Sequence, residues 1–202
     1  TAQGGVGSPQ AWNIGIDDIL HEINKPPINL VGFADDLCAL VSGKDPNALV
    51  DLLQPVLNKI IDMGAEKGLK FNASKTQVVI YTNKKFMPTK KLVIDNTPIE
   101  FAKGATYLGM YLDQKLSFVQ HINNKIKKCK NHLFALKSII GQKWGPNPQM
   151  MRWAYTGIVR PKLTYGCHVW SHKITKTLAE KLIRLDRLAS LCIAPVKKST
   201  PT

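Results

Sequence analysis

Apolar positions change their period once along the chain. Up to Asp113 they come in short runs separated by turn residues; beyond it they repeat at helical spacing. Pro9 to Leu20 predicts a helix entered from a glycine-rich turn and ended by Pro26-Pro27. The runs Ile28–Phe33 and Leu37–Val41 predict the two strands of a β-hairpin, with Asp35 and Asp36 at its tip. That tip lacks the Asn-Gly or Asp-Gly pair of a generic tight turn. Asp45-Pro46 or Asn47 opens an amphipathic helix marked by Leu49, Leu52, Leu53, Val56, Leu57, Ile60 and Ile61. Pro55 is expected to kink it or mark a late start, and Gly64 or Gly68 to stop it. Gln77–Thr82 predicts a strand, Lys91–Asp95 with Pro98–Phe101 a hairpin around Asn96, and Ala105–Leu112 a strand pair or a bent strand.

After Asp113, Phe118, Ile122, Ile126, Cys129, Leu133, Leu136 and Ile140 form one apolar stripe. A second helix is predicted from Pro148 to about Val169, interrupted near Pro161. A third runs from Thr177 to Ile193, with Leu178, Leu182, Leu185, Leu188 and Leu191 inward. The expected fold class is α+β: a mixed unit over 1–113, built on antiparallel sheet with helices, followed by an all-helical unit over 114–202.

Charge sharpens this division. Residues 1–113 carry 11 Lys+Arg against 12 Asp+Glu, whereas residues 114–202 carry 17 against 2 within the total of +14. A helical half with almost no acids is expected to face a polyanion, and nucleic acid is the natural one. The chain is 44% hydrophobic, yet no run approaches the roughly 18 apolar residues of a membrane span. The first ten residues have neither a basic region nor an apolar core, so no signal peptide is expected. Cys38, Cys129, Cys167 and Cys192 form no Cys-x-x-Cys pair and are expected to be packed, reduced thiols of an intracellular protein, in nucleus or cytoplasm. Cys129 and His132 with His168 and His172 have ligand-like spacings, but such spacings are common on any helix.

Adjacent carboxylates in an apolar run demand an explanation, because buried acids are neutralised, paired or metal-bound. A rigid hairpin tip can project two carboxylates at a divalent cation, as phosphoryl transfer requires. A metal-dependent nuclease would need further acids or a His beside them, and the sequence offers no such cluster. The stretch Gly4-Gly5-Val6-Gly7-Ser8-Pro9 lacks the Lys-Ser/Thr ending of a P-loop, which argues against an NTPase.

The order of motifs carries more than any one of them. Gln3-Gly4-Gly5-Val6-Gly7-Ser8-Pro9 precedes Phe33-Ala34-Asp35-Asp36; then come Gly68-Leu69-Lys70-Phe71-Asn72 with Lys75, and Tyr107-Leu108-Gly109. This series resembles motifs B, C, D and E of the reverse transcriptases of non-LTR, jockey-like retrotransposons. Farther on, Leu163 to Trp170 and Leu182 to Ala189, with the tail Ser199-Thr200-Pro201-Thr202, resemble the thumb of the same elements. The resemblance implies a partial palm over 1–113 and a basic helical thumb over 114–202. It implies that Asp35 and Asp36 hold Mg²⁺ (or Mn²⁺) as catalytic ligands and that Lys75 assists the pyrophosphate leaving group. It places Gln3, Gly4, Ser8 and Phe33 along the incoming nucleotide, template base and primer end, and makes Tyr107, Leu108 and Gly109 a primer grip. It leaves Lys125, Lys128, Arg152 and Arg160 to contact phosphates. Trp144, Trp153 and Trp170 are read as core residues.

The implied partners are an RNA template, a DNA primer, dNTPs and the rest of a retroelement polyprotein, with no membrane. The family's motif A, which carries an essential Asp, belongs upstream of motif B, and this sequence begins two residues before motif B. The expectation is therefore that the chain alone does not polymerise. The alternative is a non-catalytic nucleic-acid-binding remnant of a retroelement.

Overall fold

The computed structural model describes residues 4–84, 87–139 and 145–194. The chain divides into two compact units, Thr1–Lys103 and Gly104–Thr202, so the hairpin expected to close the first part lies in the second. The class is α+β, with three separate two-stranded antiparallel sheets. Among the described residues no helix is long and apolar enough to cross a membrane.

The first unit holds α1 (Ser8–Ile23), β1 (Ile28–Phe33), β2 (Asp36–Val41), α2 (Pro46–Glu66), β3 (Val93–Ile94) and β4 (Thr97–Pro98). Strands β1 and β2 pair from Ile28↔Val41 to Phe33↔Asp36, leaving Ala34 and Asp35 as the two-residue turn. Side chains alternate across the sheet, so Ile28, Leu30, Leu37 and Val41 share one face. That face packs with Ile16, Ile19 and Ile23 of α1 and with Ile60 of α2. The opposite face is uncovered: Val31 is 48% exposed, Phe33 59% and Leu40 46%.

Asp45 starts α2 by accepting a hydrogen bond from Asn47 N at 3.1 Å. The helix runs unbroken through Pro55. Its end lies just before Gly68, at φ +71, where the Leu69 and Gly68 amides reach back to the Gly64 and Ala65 carbonyls. Gly64 stays inside the helix, and a Cβ there would meet the Phe71 ring at 2.4 Å. The predicted hairpin around Asn96 forms as β3 and β4, turning on Asp95 and Asn96 at positive φ. The strand predicted over Gln77–Thr82 does not form. Val78 makes one isolated parallel bridge to Phe101 and no neighbouring strand extends it. Asp17 and Asp18, a second adjacent acid pair, lie within α1, where Lys67 pairs with Asp18 at 2.7 Å.

The second unit holds β5 (Gly104–Tyr107), β6 (Met110–Asp113), α3 (Val119–Ser138), α4 (Pro148–Ala154), α5 (Arg160–Thr164), α6 (Cys167–Trp170) and α7 (Lys176–Ile193). The predicted stripe is realised: Ile122, Ile126, Cys129 and Leu133 of α3 are buried with Leu178, Leu185, Ala189 and Cys192 of α7. Ala189 and Cys192 take the α7 seam, and Leu191 is only half-buried. Ile140 and Trp144 lie outside the described residues. The interruption expected near Pro161 takes the form of a π-turn over Tyr155–Val159, in which the Arg160 amide reaches the Tyr155 carbonyl. One extra residue in that turn offsets the helical repeat just before a proline that has no amide to donate. Helix α5 therefore continues directly, with Pro161 in its first turn.

Candidate functional site

Asp35 and Asp36 stand exposed at the tip of the β1–β2 hairpin. Water solvates both, so the desolvation argument for a neutralising cation does not apply to them. What the fold supplies is rigidity. Ala34 sits at φ +51, a region non-glycine residues rarely enter. The Trp12 indole Nε1 donates to the Ala34 carbonyl at 2.7 Å and pins the turn to α1. An open cavity of about 440 Å³ lies between the start of α1 and the tip, lined by Pro9, Trp12, Asn13, Phe33, Ala34 and Asp35. Phe33 faces outward rather than into the core.

As donors, Asp35 and Asp36 fit a hard cation such as Mg²⁺ in kind, since both present carboxylate oxygens on a fixed turn. In number they are short of a full ligand set: among the described residues no group of three or more acidic, imidazole or thiol side chains could hold a metal ion. The zinc-like spacings accordingly do not converge. The Cys129 thiol lies 3.8 Å from the Val159 carbonyl, and the His132 ring lies 2.6 Å from the Lys128 carbonyl and 2.8 Å from Lys162 Nζ.

The other site residues expected from the sequence are spread over both units. Gly4 is at φ +82 in an exposed turn, Ser8 opens α1, and Gln3 lies outside the described residues. Lys75 is exposed on a turn organised by Asn72, whose side chain accepts from Ser74 N at 2.9 Å. Its ammonium makes no ion pair with Asp35 or Asp36.

Tyr107, Leu108 and Gly109 form the end of β5 and the tight turn into β6, with Leu108 at φ +47 and Gly109 at φ +75. Lys128, Arg152 and Arg160 are exposed. Lys125 is not a free phosphate ligand. Its ammonium donates to the Lys162 and Tyr165 carbonyls at 2.9 and 3.0 Å and lies 5.0 Å from the centre of the Tyr165 ring. Burial pushes its pKa below the usual lysine range. Trp153 is not core: it is 63% exposed, whereas Trp170 is 4%.

Sequence reasoning gave no role to Trp12, Tyr165 or His121. His121 is buried; its Nδ1 accepts from the Tyr111 amide at 3.1 Å, and its ring lies 6.3 Å from that of Trp170. Nε2 therefore carries the proton, and it has no partner among the described residues. Burial, then the charges of Lys125 and Lys128, hold His121 below its usual value of 6.5. The unfolded chain thus takes up the proton first. The contribution to stability is present above pH 6.5 and is lost as the pH falls from there toward the folded-state value. Denaturant melts between pH 7.5 and 5 should show falling stability, and a His121→Gln chain should show a flatter profile.

Comparison with known proteins follows the motif order. Residues 1–112 match the family described as reverse transcriptase (RNA-dependent DNA polymerase). The chain is 27% identical over 99% of its length to the 115 kDa protein of type-1 retrotransposable element R1DM of Drosophila melanogaster, covering 20% of that protein. It is 23% identical over 99% of its length to the retrovirus-related Pol polyprotein of type-1 retrotransposable element R1 of Nasonia vitripennis, covering 61% of it. It is 23% identical over 83% of its length to the RNA-directed DNA polymerase from mobile element jockey of Drosophila melanogaster, covering 19%. The chain thus spans between about a fifth and three fifths of the length of these relatives. No solved structure matches it. With its motifs in family order and more than half of its length matched, the chain belongs to the reverse transcriptase family, alongside those of the R1 and jockey retrotransposons, which are of the non-LTR kind.

Proposed function

We propose that the chain is the palm-and-thumb portion of an RNA-directed DNA polymerase that adds dNTPs to a primer 3′ end on an RNA template. The observation that carries this is the exposed Asp35-Asp36 pair on a turn pinned by Trp12, inside the stretch that matches the family. Asp35 and Asp36 would hold Mg²⁺ or Mn²⁺, and the bound cation would offset charge on the reacting phosphate oxygens. The neighbouring cavity, with Phe33 and Trp12 as walls, receives the nucleotide or primer end, and Gly4 and Ser8 approach it from the start of α1. Lys75 assists the departing pyrophosphate.

The hairpin supplies part of a cation cradle. Its remaining carboxylate comes from elsewhere in the parent polyprotein, and the isolated chain does not extend a primer. Robust Mg²⁺-dependent synthesis by the isolated chain would overturn that point. The protein acts inside the cell, in nucleus or cytoplasm, where its template is found.

The second unit acts as the thumb, with Tyr107, Leu108 and Gly109 gripping the primer. Lys128, Arg152 and Arg160 contact phosphates, and Lys125 serves the fold instead. Three phosphate contacts give a salt slope near −2.7, or about a 40-fold loss of affinity between 50 and 200 mM salt. Fluorescence anisotropy with an RNA–DNA duplex measures it. Arg152→Gln and Arg160→Gln should each reduce the slope by about 0.9. Salt-independent binding, or none, would refute the thumb assignment.

The remnant reading keeps one specific support: Asp35 and Asp36 are solvated and need no cation to be tolerated. Titration of the chain with Mn²⁺, followed by its paramagnetic effect on signals of the Phe33–Asp36 turn, separates the two readings.

A further inference from the structure

The turn between β5 and β6 has an unusual occupant. Leu108 and Gly109 both lie at positive φ, at +47 and +75, the pattern of a type I′ turn. Glycine and asparagine favour that geometry and leucine does not. A leucine held there needs support from outside its own hairpin.

That support is Tyr165, which follows α5. Its hydroxyl donates to the Leu108 carbonyl at 2.9 Å. A Cβ built on Gly109 would lie 3.4 Å from its ring, so the ring packs flush against the turn. Tyr165 is fixed in turn. Its carbonyl accepts from Lys125 Nζ at 3.0 Å and from Trp170 Nε1 at 3.2 Å, and the Lys125 ammonium lies 5.0 Å from the centre of its ring. The next residue, Gly166 at φ +65, lets the backbone pass Met110, whose sulfur would be only 2.8 Å from a Cβ there.

We propose that Tyr165, locked by Lys125, is the positioning residue that sets the β5–β6 turn and so aims the primer-gripping surface. The proposal rests on the primer-grip reading of that turn. Tyr165 does not touch the reacting atoms; it acts through Leu108. Removing its hydroxyl should free the turn without unfolding the unit, because the ring and its packing remain.

The test compares the full chain with Tyr165→Phe and Lys125→Met chains in three measurements. These are thermal unfolding, hydrogen exchange of the peptide covering 104–113, and affinity for an RNA template carrying a recessed DNA primer against a blunt RNA–DNA duplex of equal length. For Tyr165→Phe the expected result is an almost unchanged melt, exchange in that peptide faster by about fivefold, the worth of one lost hydrogen bond, and a reduced preference for the recessed end. Lys125→Met should move exchange and preference the same way. Unchanged exchange overturns the positioning role. So does collapse of the whole unit in Tyr165→Phe, since the hydroxyl would then act on the fold at large. Faster exchange with an unchanged end preference, or a wild-type chain with no end preference, overturns the primer-grip reading and leaves the Tyr165 lock standing.

Discussion

Replacing Asp35 by Asn in the longer polypeptide is expected to lower single-nucleotide addition about 1,000-fold or more. Asn keeps the size of the side chain and one acceptor oxygen but removes the charge that would hold a divalent cation. Such a cation contributes several kcal/mol of charge stabilisation, and about 4 kcal/mol corresponds to roughly three powers of ten in rate. The fold itself should tolerate the change. Asp35 is exposed, and the turn is held by the Trp12 bond to the Ala34 carbonyl rather than by a carboxylate. Stability should therefore move by no more than about 0.5 kcal/mol, the usual scale for surface substitutions. Rapid-quench measurement of one nucleotide addition, beside a denaturant melt of the same protein, gives both numbers. A variant retaining a tenth or more of wild-type addition would remove Asp35 from the chemistry. Asp36 lies in the first pair of β2, opposite Phe33, and provides the comparison for how the charge is shared.

The second large effect is structural. Asp113→Ala should destabilise the second unit by about 3 kcal/mol. The Asp113 carboxylate accepts from Lys115 N, Ser117 N and Ser117 Oγ, each at 3.1 Å, and from Phe118 N at 2.9 Å. Leu116 and Phe118, both at positive φ, lie in the loop it organises, and Phe118 gives α3 no side-chain cap of its own. One carboxylate thus serves as the cap for the entry to α3. Hydrogen bonds to a charged group contribute about 1.5–3 kcal/mol, and a lost helix cap alone costs about 1 kcal/mol. Burial pushes the Asp113 carboxyl up, but the hydrogen bonds from Ser117, Phe118 and Lys115 together outweigh it and hold it below the ordinary 3.8. Because the folded-state value is depressed, the contribution is complete above pH 3.8 and fades as the pH falls through the folded value. Circular dichroism of the helices during denaturant unfolding measures the loss. A change below about 1 kcal/mol would show that solvent replaces the carboxylate without cost.

What the sequence conveys depends on which physical quantity is asked of it. The α3–α7 seam was legible because Ile122, Ile126, Cys129, Leu133, Leu178 and Leu185 are apolar at helical spacing, and a buried face needs little more. The β1–β2 hairpin was legible for the same reason at period two. The run Val78-Val79-Ile80-Tyr81 reads as a strand by composition, but a strand exists only where a partner pairs with it, and one bridge to Phe101 is all it has.

The candidate site was legible in the identity of Asp35 and Asp36 but not in their exposure, since an apolar run does not say which of its residues occupy the turn. A lysine in the sequence carries a charge without a direction. Lys125 spends its charge on backbone carbonyls while Lys128, one helical turn away, stays in solvent. Trp12 and Tyr165 each pin a turn whose positive-φ residue is not glycine. The available signal was that Ala34 and Leu108 occupy turns where glycine would be the easy choice.

The π-turn at Tyr155–Val159 makes this stretch intolerant of losing a residue. Deleting one position there would restore the regular helical repeat and rotate everything beyond it by about 100°. Pro161 would meet a different carbonyl, and the Tyr165 backbone would swing off Lys125. Copies of such an element that accumulate small in-frame deletions would thus lose the register of the 160–170 segment at this point, even with every motif residue still encoded.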